Sequence, residues 1–186
     1  MKPFPKRLKL ADLPTRIEKL ERFSERTGLN VYVKRDDMSG MEWSGNKIRK
    51  LEFSIQEALD RGADTLITCG GIQSNHCRAT AAAAARLGLR SCLLLRTDDP
   101  DPLLDGNYFI DKVLGADIRF ISAEDYRSRR GEVMEELAGE FERQGHKAYI
   151  IPEGASNGIG TFGYLSCMQE ILQQEKEMGV QFDTIV

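Results

Sequence analysis

Apolar and polar positions run along this chain in two rhythms. In "KIRKLEFSIQEALDRG" apolar residues fall at Ile48, Leu51, Ile55 and Leu59, one face of a helix, and Gly62 closes the run. "DTLITC" and "RSCLLLR" are short continuous apolar runs, the pattern of strands buried on both faces. Between them, "HCRATAAAAARLG" reads as an alanine-rich helix ending at Gly88. The alternation continues with a helix near 105–114, the strand "DIRFIS", a charged helix near 124–144 and the strand "KAYIIP". A glycine-rich turn, a helix near 160–178 and a final strand "DTIV" follow. At the front, "TRIEKLERFSERTG" predicts a helix stopped by Gly28, and "NVYVKRDD" a strand. Strands alternating with helices at this spacing predict βαβ units: an α/β protein with a parallel sheet covered on both faces. "FDTIV" stops in what reads as a buried strand, so the chain is expected to be a fragment or shorter than its relatives.

Composition narrows the function classes. Of 186 residues, 41% are hydrophobic, enough for a real core. The net charge of −3, from 26 basic and 29 acidic residues, gives no electrostatic footprint for nucleic acid or a membrane surface. No apolar run approaches membrane-spanning length, and the basic start "MKPFPKRLKLADLP" has no apolar signal core. Cys69, Cys77, Cys92 and Cys167 form no C-x-x-C pair and read as free thiols in a reducing compartment, so a cytoplasmic protein is expected. No metal site is expected.

In an open parallel sheet, ligands bind beyond the carboxyl ends of the strands, so those turns hold the candidate chemistry. "CGGIQSNHCRAT", residues 69–80, follows a strand and opens a helix. Gly70 and Gly71 permit a tight turn, and Ser74 or Asn75 can cap the helix. Amides and dipole there favour a carboxylate or phosphate. A plain turn and cap would use the same residues; the polar run Gln73, Ser74, Asn75 and His76 weighs against that reading. "EGASNGIGTFGY" spaces Gly158, Gly160 and Gly163 as G-x-G-x-x-G. As a dinucleotide fingerprint it fails, because "EGASN" is too long for the tight turn and Asp183 precedes the next predicted strand. A glycine-rich crossing between two lobes fits better.

"SGNKIRK", residues 44–50, sets Lys47, Arg49 and Lys50 at a helix start. Cations in a first turn oppose the helix dipole, so something anionic is expected nearby. A strand–turn–lysine arrangement beside a separate anion-binding turn suits Schiff-base chemistry, in which the lysine condenses with an aldehyde cofactor and later acts as a base. A solvated helix start is the plainer alternative.

"KRDDMSGMEWSGNKIRKLEF", "GADTLITCGGIQSNHCRATAAAAARLGL" and "IIPEGASNGIGTFGY" together resemble the D-cysteine desulfhydrase and 1-aminocyclopropane-1-carboxylate (ACC) deaminase family. These are pyridoxal-phosphate (PLP) enzymes of the tryptophan-synthase-β fold type. The likeness covers nearly the whole chain. It implies two lobes: a small α/β lobe at 46–152 bearing the PLP lysine, and an incomplete lobe from 1–45 plus 153–186.

The resemblance implies that Lys47 carries PLP as a Schiff base, with Lys50 near the phosphate and Asn75 on the phenolic oxygen. Ser74, Asn75 and His76 would cradle the substrate carboxylate, and Ser74 matches a serine given an active role in the deaminases. The reaction would be β-elimination from a small amino acid, with PLP as electron sink. His76 stands where deaminase-like sequences have glutamine, and Trp43 makes the preceding stretch bulkier, so D-cysteine is favoured over ACC. A homo-oligomer, a dimer, is the expected assembly. Relatives continue with a phosphate-cupping glycine loop, further tyrosines and a group facing the pyridine nitrogen. An alternative of another class is therefore a non-catalytic module that binds a partner, or its own copy, through an open sheet edge.

Overall fold

The computed structural model describes residues 4–40 and 45–186. Its centre is a four-stranded parallel sheet. The strands are β3 (Thr65–Gly71), β4 (Arg90–Arg96), β5 (Asp117–Ile121) and β6 (Ala148–Ile150), in the order β5-β4-β3-β6. β3 pairs with β4 from Thr65↔Arg90 to Gly71↔Arg96, and with β6 at Ile67↔Ile150. Side chains alternate across a pleated sheet, which sorts the apolar runs by parity. Leu66, Leu93 and Leu95 face one side; Ile67, Cys69, Cys92 and Leu94 face the other. Both sides are covered, which is why the sequence shows unbroken apolar runs instead of alternation.

Three helices cover the first side: α2 (Lys47–Asp60), α3 (Asn75–Leu87) and α4 (Gly106–Val113). The α2 face foreseen from spacing is real. Ile48, Leu51 and Ile55 are fully buried against Leu66 and α3, with Leu59 at the margin. Each such side chain contributes about 1.5–3 kcal/mol. The alanines of α3, Ala79 and Ala81 to Ala84, are buried, so this helix lies close to both sheet and α2. Gly88 ends it in the left-handed conformation. On the other side α5 (Ala123–Arg143) packs Tyr126, Met134, Leu137 and Phe141 onto β3 and β4. All four cysteines are free and buried.

Outside the sheet layers, α6 (Gly158–Met178) lies on α2 at Gly163. A Cβ there would strike the Arg49 carbonyl and sit 2.7 Å from the Lys50 amide, so the two backbones meet at this glycine. Among the described residues no helix is long and apolar enough to cross a membrane.

Two expectations need correction. "TRIEKLERFSERTG" is not one helix. Ile17–Lys19 forms strand β1, and only Glu21–Thr27 is helical (α1), with Gly28 as its stop. β1 pairs antiparallel with β2 (Tyr32–Lys34), Ile17 opposite Lys34. A seven-residue helix has little stability of its own, and the ladder to β2 takes the preceding residues. "DTIV" is not a strand either: Ile185 is 62% exposed, and no described strand takes its ladder bonds.

Candidate active site

The three cations of residues 47–50 have three different fates. Arg49 turns inward and is 1% exposed. Its Nε and Nη2 donate to the Asp36 carboxylate, both at 2.8 Å. Nη1 and Nη2 donate to Glu170 at 2.9 and 3.0 Å, and Nη2 also reaches Thr15 Oγ1 at 3.0 Å. Lys34 Nζ joins Glu170 at 2.9 Å, so two cations meet two carboxylates. Burial alone would lower the Arg49 pKa, but the bonds to Asp36 and Glu170 outweigh it, and the guanidinium is held charged. This clamp ties α2 to α6 and to the segment after β2, and so fixes the first turn of α2.

Lys47, the first residue of that turn, is left partly exposed, and its Nζ donates to Asn46 Oδ1 at 3.1 Å. Lys50, one turn on, donates from Nζ to the Gly154 carbonyl at 3.0 Å and to Ser156 Oγ at 2.9 Å. Burial, then the charge of Lys47, lowers the Lys50 pKa. Gly154 is left-handed, at φ 65°, in the turn after β6. A Cβ on Gly154 would come 3.9 Å from Lys47 Cε and 3.3 Å from Ser156 Oγ. Lys47 and Gly154 line a cleft of about 800 Å³ with Arg127, Arg130, Pro152 and Glu153.

The second polar turn leaves β3. Ser74 caps α3: its Oγ accepts from the Cys77 amide at 3.2 Å, and its own amide donates to the Gly71 carbonyl at 2.9 Å. A Cβ on Gly70 would lie 2.7 Å from Ser74 Cβ, so the turn closes only over glycine. Asn75 is exposed, and its Oδ1 accepts from Asn107 Nδ2 at 2.9 Å. As in any α-helix, the first backbone N–H groups of α3 lack intrahelical acceptors. His76 points inward and is 3% exposed. Thr68 Oγ1 gives its proton to the Ile151 carbonyl at 2.8 Å, so it accepts from His76 Nε2–H at 2.9 Å. Burial, then the charges of Lys47 and Lys50, pushes the His76 pKa down to about 4, against a slight opposing pull from the Pro152 carbonyl. The ring is thus neutral at pH 7 and engaged beneath the turn; what His76 presents to the turn is its backbone amide.

β3 and β6 are neighbours, and the Ile151 amide donates to the Ile67 carbonyl at 2.8 Å. The Ser74–Asn75 turn and the Gly154 turn therefore rise from the same edge of the sheet. The structure brings Lys47 and Lys50 to the Gly154 turn, with His76 close enough to feel both charges. Ser74 and Asn75 stand beyond the adjacent strand end and do not line the Lys47 cleft. Trp43 and Ser44 lie outside the described residues. Sequence reasoning missed Asp36 and Glu170, which hold Arg49; Ser156, which holds Lys50; and Asn107, which holds Asn75. The one available signal was the expected anion near the cationic helix start, which Asp36 and Glu170 supply.

Comparison with known proteins agrees with this geometry. The family described as "Pyridoxal-phosphate dependent enzyme" matches residues 8–186. The mitochondrial bifunctional D-cysteine desulfhydrase/1-aminocyclopropane-1-carboxylate deaminase of Arabidopsis thaliana is 45% identical over 194 residues, covering 100% of this chain and 48% of its own length. The D-cysteine desulfhydrase of Serratia proteamaculans is 41% identical over 187 residues, covering 98% of this chain and 56% of its own. A crystal structure of an ACC deaminase homologue superposes with a TM-score of 0.84 at 42% identity, over 92% of this chain and 51% of that one. A fungal L-serine ammonia-lyase from Rhizomucor miehei, at 15% identity and a TM-score of 0.68, shares the fold alone, over 90% of this chain and 48% of that one. The chain spans about half the length of the curated relatives it matches. A cationic helix start on a cleft beyond a parallel sheet, and a sequence match over nearly every residue, place the chain in the family of pyridoxal-phosphate dependent enzymes.

Proposed function

We propose that the protein eliminates a β leaving group from a small amino acid with PLP, D-cysteine being the substrate and pyruvate, ammonia and hydrogen sulfide the products. The observation that carries this reading is Lys47, placed at the first turn of α2 on a cleft beyond the strand ends. ACC ring opening is the second reading, favoured by the double name of the Arabidopsis thaliana relative.

The residues present fit the cofactor. Lys47 offers an amine on an open cleft, and the missing Cβ of Gly154 leaves space beside its Cε. Lys50, Arg127 and Arg130 add positive charge suited to a phosphate. PLP, when bound, would take up charge developing at the substrate α-carbon. Lys47 would hold the cofactor and accept the α-proton at Nζ. Asn75 would donate to the phenolic oxygen, and Lys50 would offset the phosphate charge. Ser74 and the first amides of α3 would grip the substrate carboxylate. His76, kept neutral, adds no third positive charge beside the two lysines. The free, buried thiols suit a reducing cytoplasm, and a homodimer of two-lobed subunits is the assembly we infer.

Borohydride reduction of the PLP-loaded protein, followed by peptide mapping, tests the lysine: label on Lys47 supports the reading, and label on Lys34 or Lys50 overturns it. kcat/KM for D-cysteine against ACC, scored by sulfide and 2-oxobutanoate, separates the two substrates. A preference for ACC reverses the substrate assignment and leaves the Lys47 assignment standing.

A further inference from the structure

Asn107, in the first turn of α4, makes four hydrogen bonds to residues 73–78, the turn and helix start that carry Asn75. Its amide donates to Gln73 Oε1 at 2.7 Å. Its Nδ2 donates to the Gln73 carbonyl at 2.8 Å and to Asn75 Oδ1 at 2.9 Å. Its Oδ1 accepts from Arg78 Nη1 at 2.8 Å.

Each partner has a single role. A guanidinium only donates, so Asn107 must turn its oxygen to Arg78. A backbone carbonyl only accepts, so Asn107 must turn its nitrogen to Gln73. Gln73 is fixed in the same way, its Oε1 by a backbone amide and its Nε2 by the Asp105 carboxylate at 2.8 Å. Both protons of Asn107 Nδ2 are then committed, one of them to Asn75. Asn75 must meet it with oxygen, which leaves its own Nδ2 as the outward group. Among the described residues nothing accepts from Asn75 Nδ2, and the side chain is exposed.

We propose that Asn107 is a positioning residue: with Arg78 it sets the Asn75 carboxamide so that two N–H donors, and not an oxygen, face the cofactor. This rests on reading the Ser74–Asn75 turn as part of the PLP site. An electron-rich phenolic oxygen requires a donor there, and a flipped Asn75 would meet it with a second acceptor.

Asn107→Asp tests this with no change of shape. The variant keeps an oxygen for Arg78 but loses the donor to Asn75, so the Asn75 amide reverses. Two quantities are read on purified protein: the Kd for PLP by absorbance titration, and the pH midpoint of the visible band of the lysine-bound cofactor. Asn107→Asp should weaken PLP binding about tenfold and move the midpoint in the same direction as Asn75→Ala does. In an Asn75→Ala background it should do nothing further, because its effect passes through Asn75. An equal further loss in that background overturns the proposal and leaves Asn107 as a structural residue. If Asn75→Ala weakens PLP and Asn107→Asp does not, the inference alone fails. If Asn75→Ala changes neither quantity, the reading of the turn fails with it. Should Asn107→Asp not fold, Asn107→Ala repeats the cycle without an added charge, and loss of fold in both also overturns the proposal.

Discussion

Arg49 and Asp111 are both charged side chains removed from water, at 1% and 0% exposure, on helices that pack against the same sheet face. All three guanidinium nitrogens of Arg49 donate, to Asp36, Glu170 and Thr15. Asp111, on α4, has no hydrogen-bond partner among the described residues for either carboxylate oxygen. The first is held charged by its partners. The second is drawn toward its neutral form: burial pushes its pKa up to about 7, with the charge of Arg78 pulling the other way. A buried charge survives where carboxylate and hydroxyl acceptors match its geometry; elsewhere the group neutralises. In this molecule the survivor fixes the helix start that presents Lys47 and Lys50.

The largest expected effect follows from breaking the saturated case. Arg49→Met preserves length but takes from Asp36 the cation paired with it and leaves Glu170 with Lys34. Removing one side of a buried ion pair costs about 3–5 kcal/mol. Urea unfolding of the variant should show that loss, together with weaker PLP retention as the α2 start loosens. A loss below about 1 kcal/mol would mean that the clamp is merely tolerated.

The unsaturated case should respond with the opposite sign and with pH. Below about pH 4 Asp111 is protonated folded or unfolded, and its contribution is fully present. As pH rises the unfolded carboxyl ionises first, the folded state holds the extra proton, and stability is lost through about pH 7. His76 slopes the other way: its folded pKa of about 4 lies below the unfolded value, so stability falls as pH drops through about 6.5 to 4. Only the difference between wild type and variant isolates Asp111. Asp111→Asn should gain about 2–3 kcal/mol relative to wild type between pH 5 and pH 7. A difference that does not change with pH would show that Asp111 is ionised in the fold.

This contrast also marks what the sequence made legible. The elements between Lys47 and Ile150 were legible because their cues are local: apolar spacing, and glycines at 62 and 88 that stop helices. Lys47 stood out in the sequence because a cationic first turn is a local conflict. The different fates of Lys47, Arg49 and Lys50 were not, since Glu170 lies 121 residues from Arg49 and Ser156 106 residues from Lys50. Asn107 and Asp111 carry no local cue: the partners of one and the burial of the other arise only when α4 is packed on α3. β1 failed for the same reason, being three residues that owe their conformation to β2.

Between the two extremes lies His76, whose smaller effect sharpens the comparison. Its Nε2 has a partner and its buried Nδ1 has none among the described residues, so it is half-satisfied and neutral. Thr68 is the hinge of that state, giving its proton to the Ile151 carbonyl and accepting from the ring. Thr68→Val preserves shape but removes both bonds at once, leaving a buried imidazole N–H and the side-chain contact to Ile151 unmet. Each orphaned neutral group costs about 1–3 kcal/mol, less than an orphaned charge. The loss should be smaller in a His76→Leu background, because there only the carbonyl is abandoned. Ile151 immediately precedes the Pro152–Gly154 turn that receives Lys50, so PLP affinity should fall with stability in Thr68→Val and recover less than stability does in the double variant. Thermal melts and PLP titration of the two single variants and the pair decide it. Equal losses in both backgrounds would show that Thr68 serves the Ile151 carbonyl alone, with His76 held by burial and not by its one hydrogen bond.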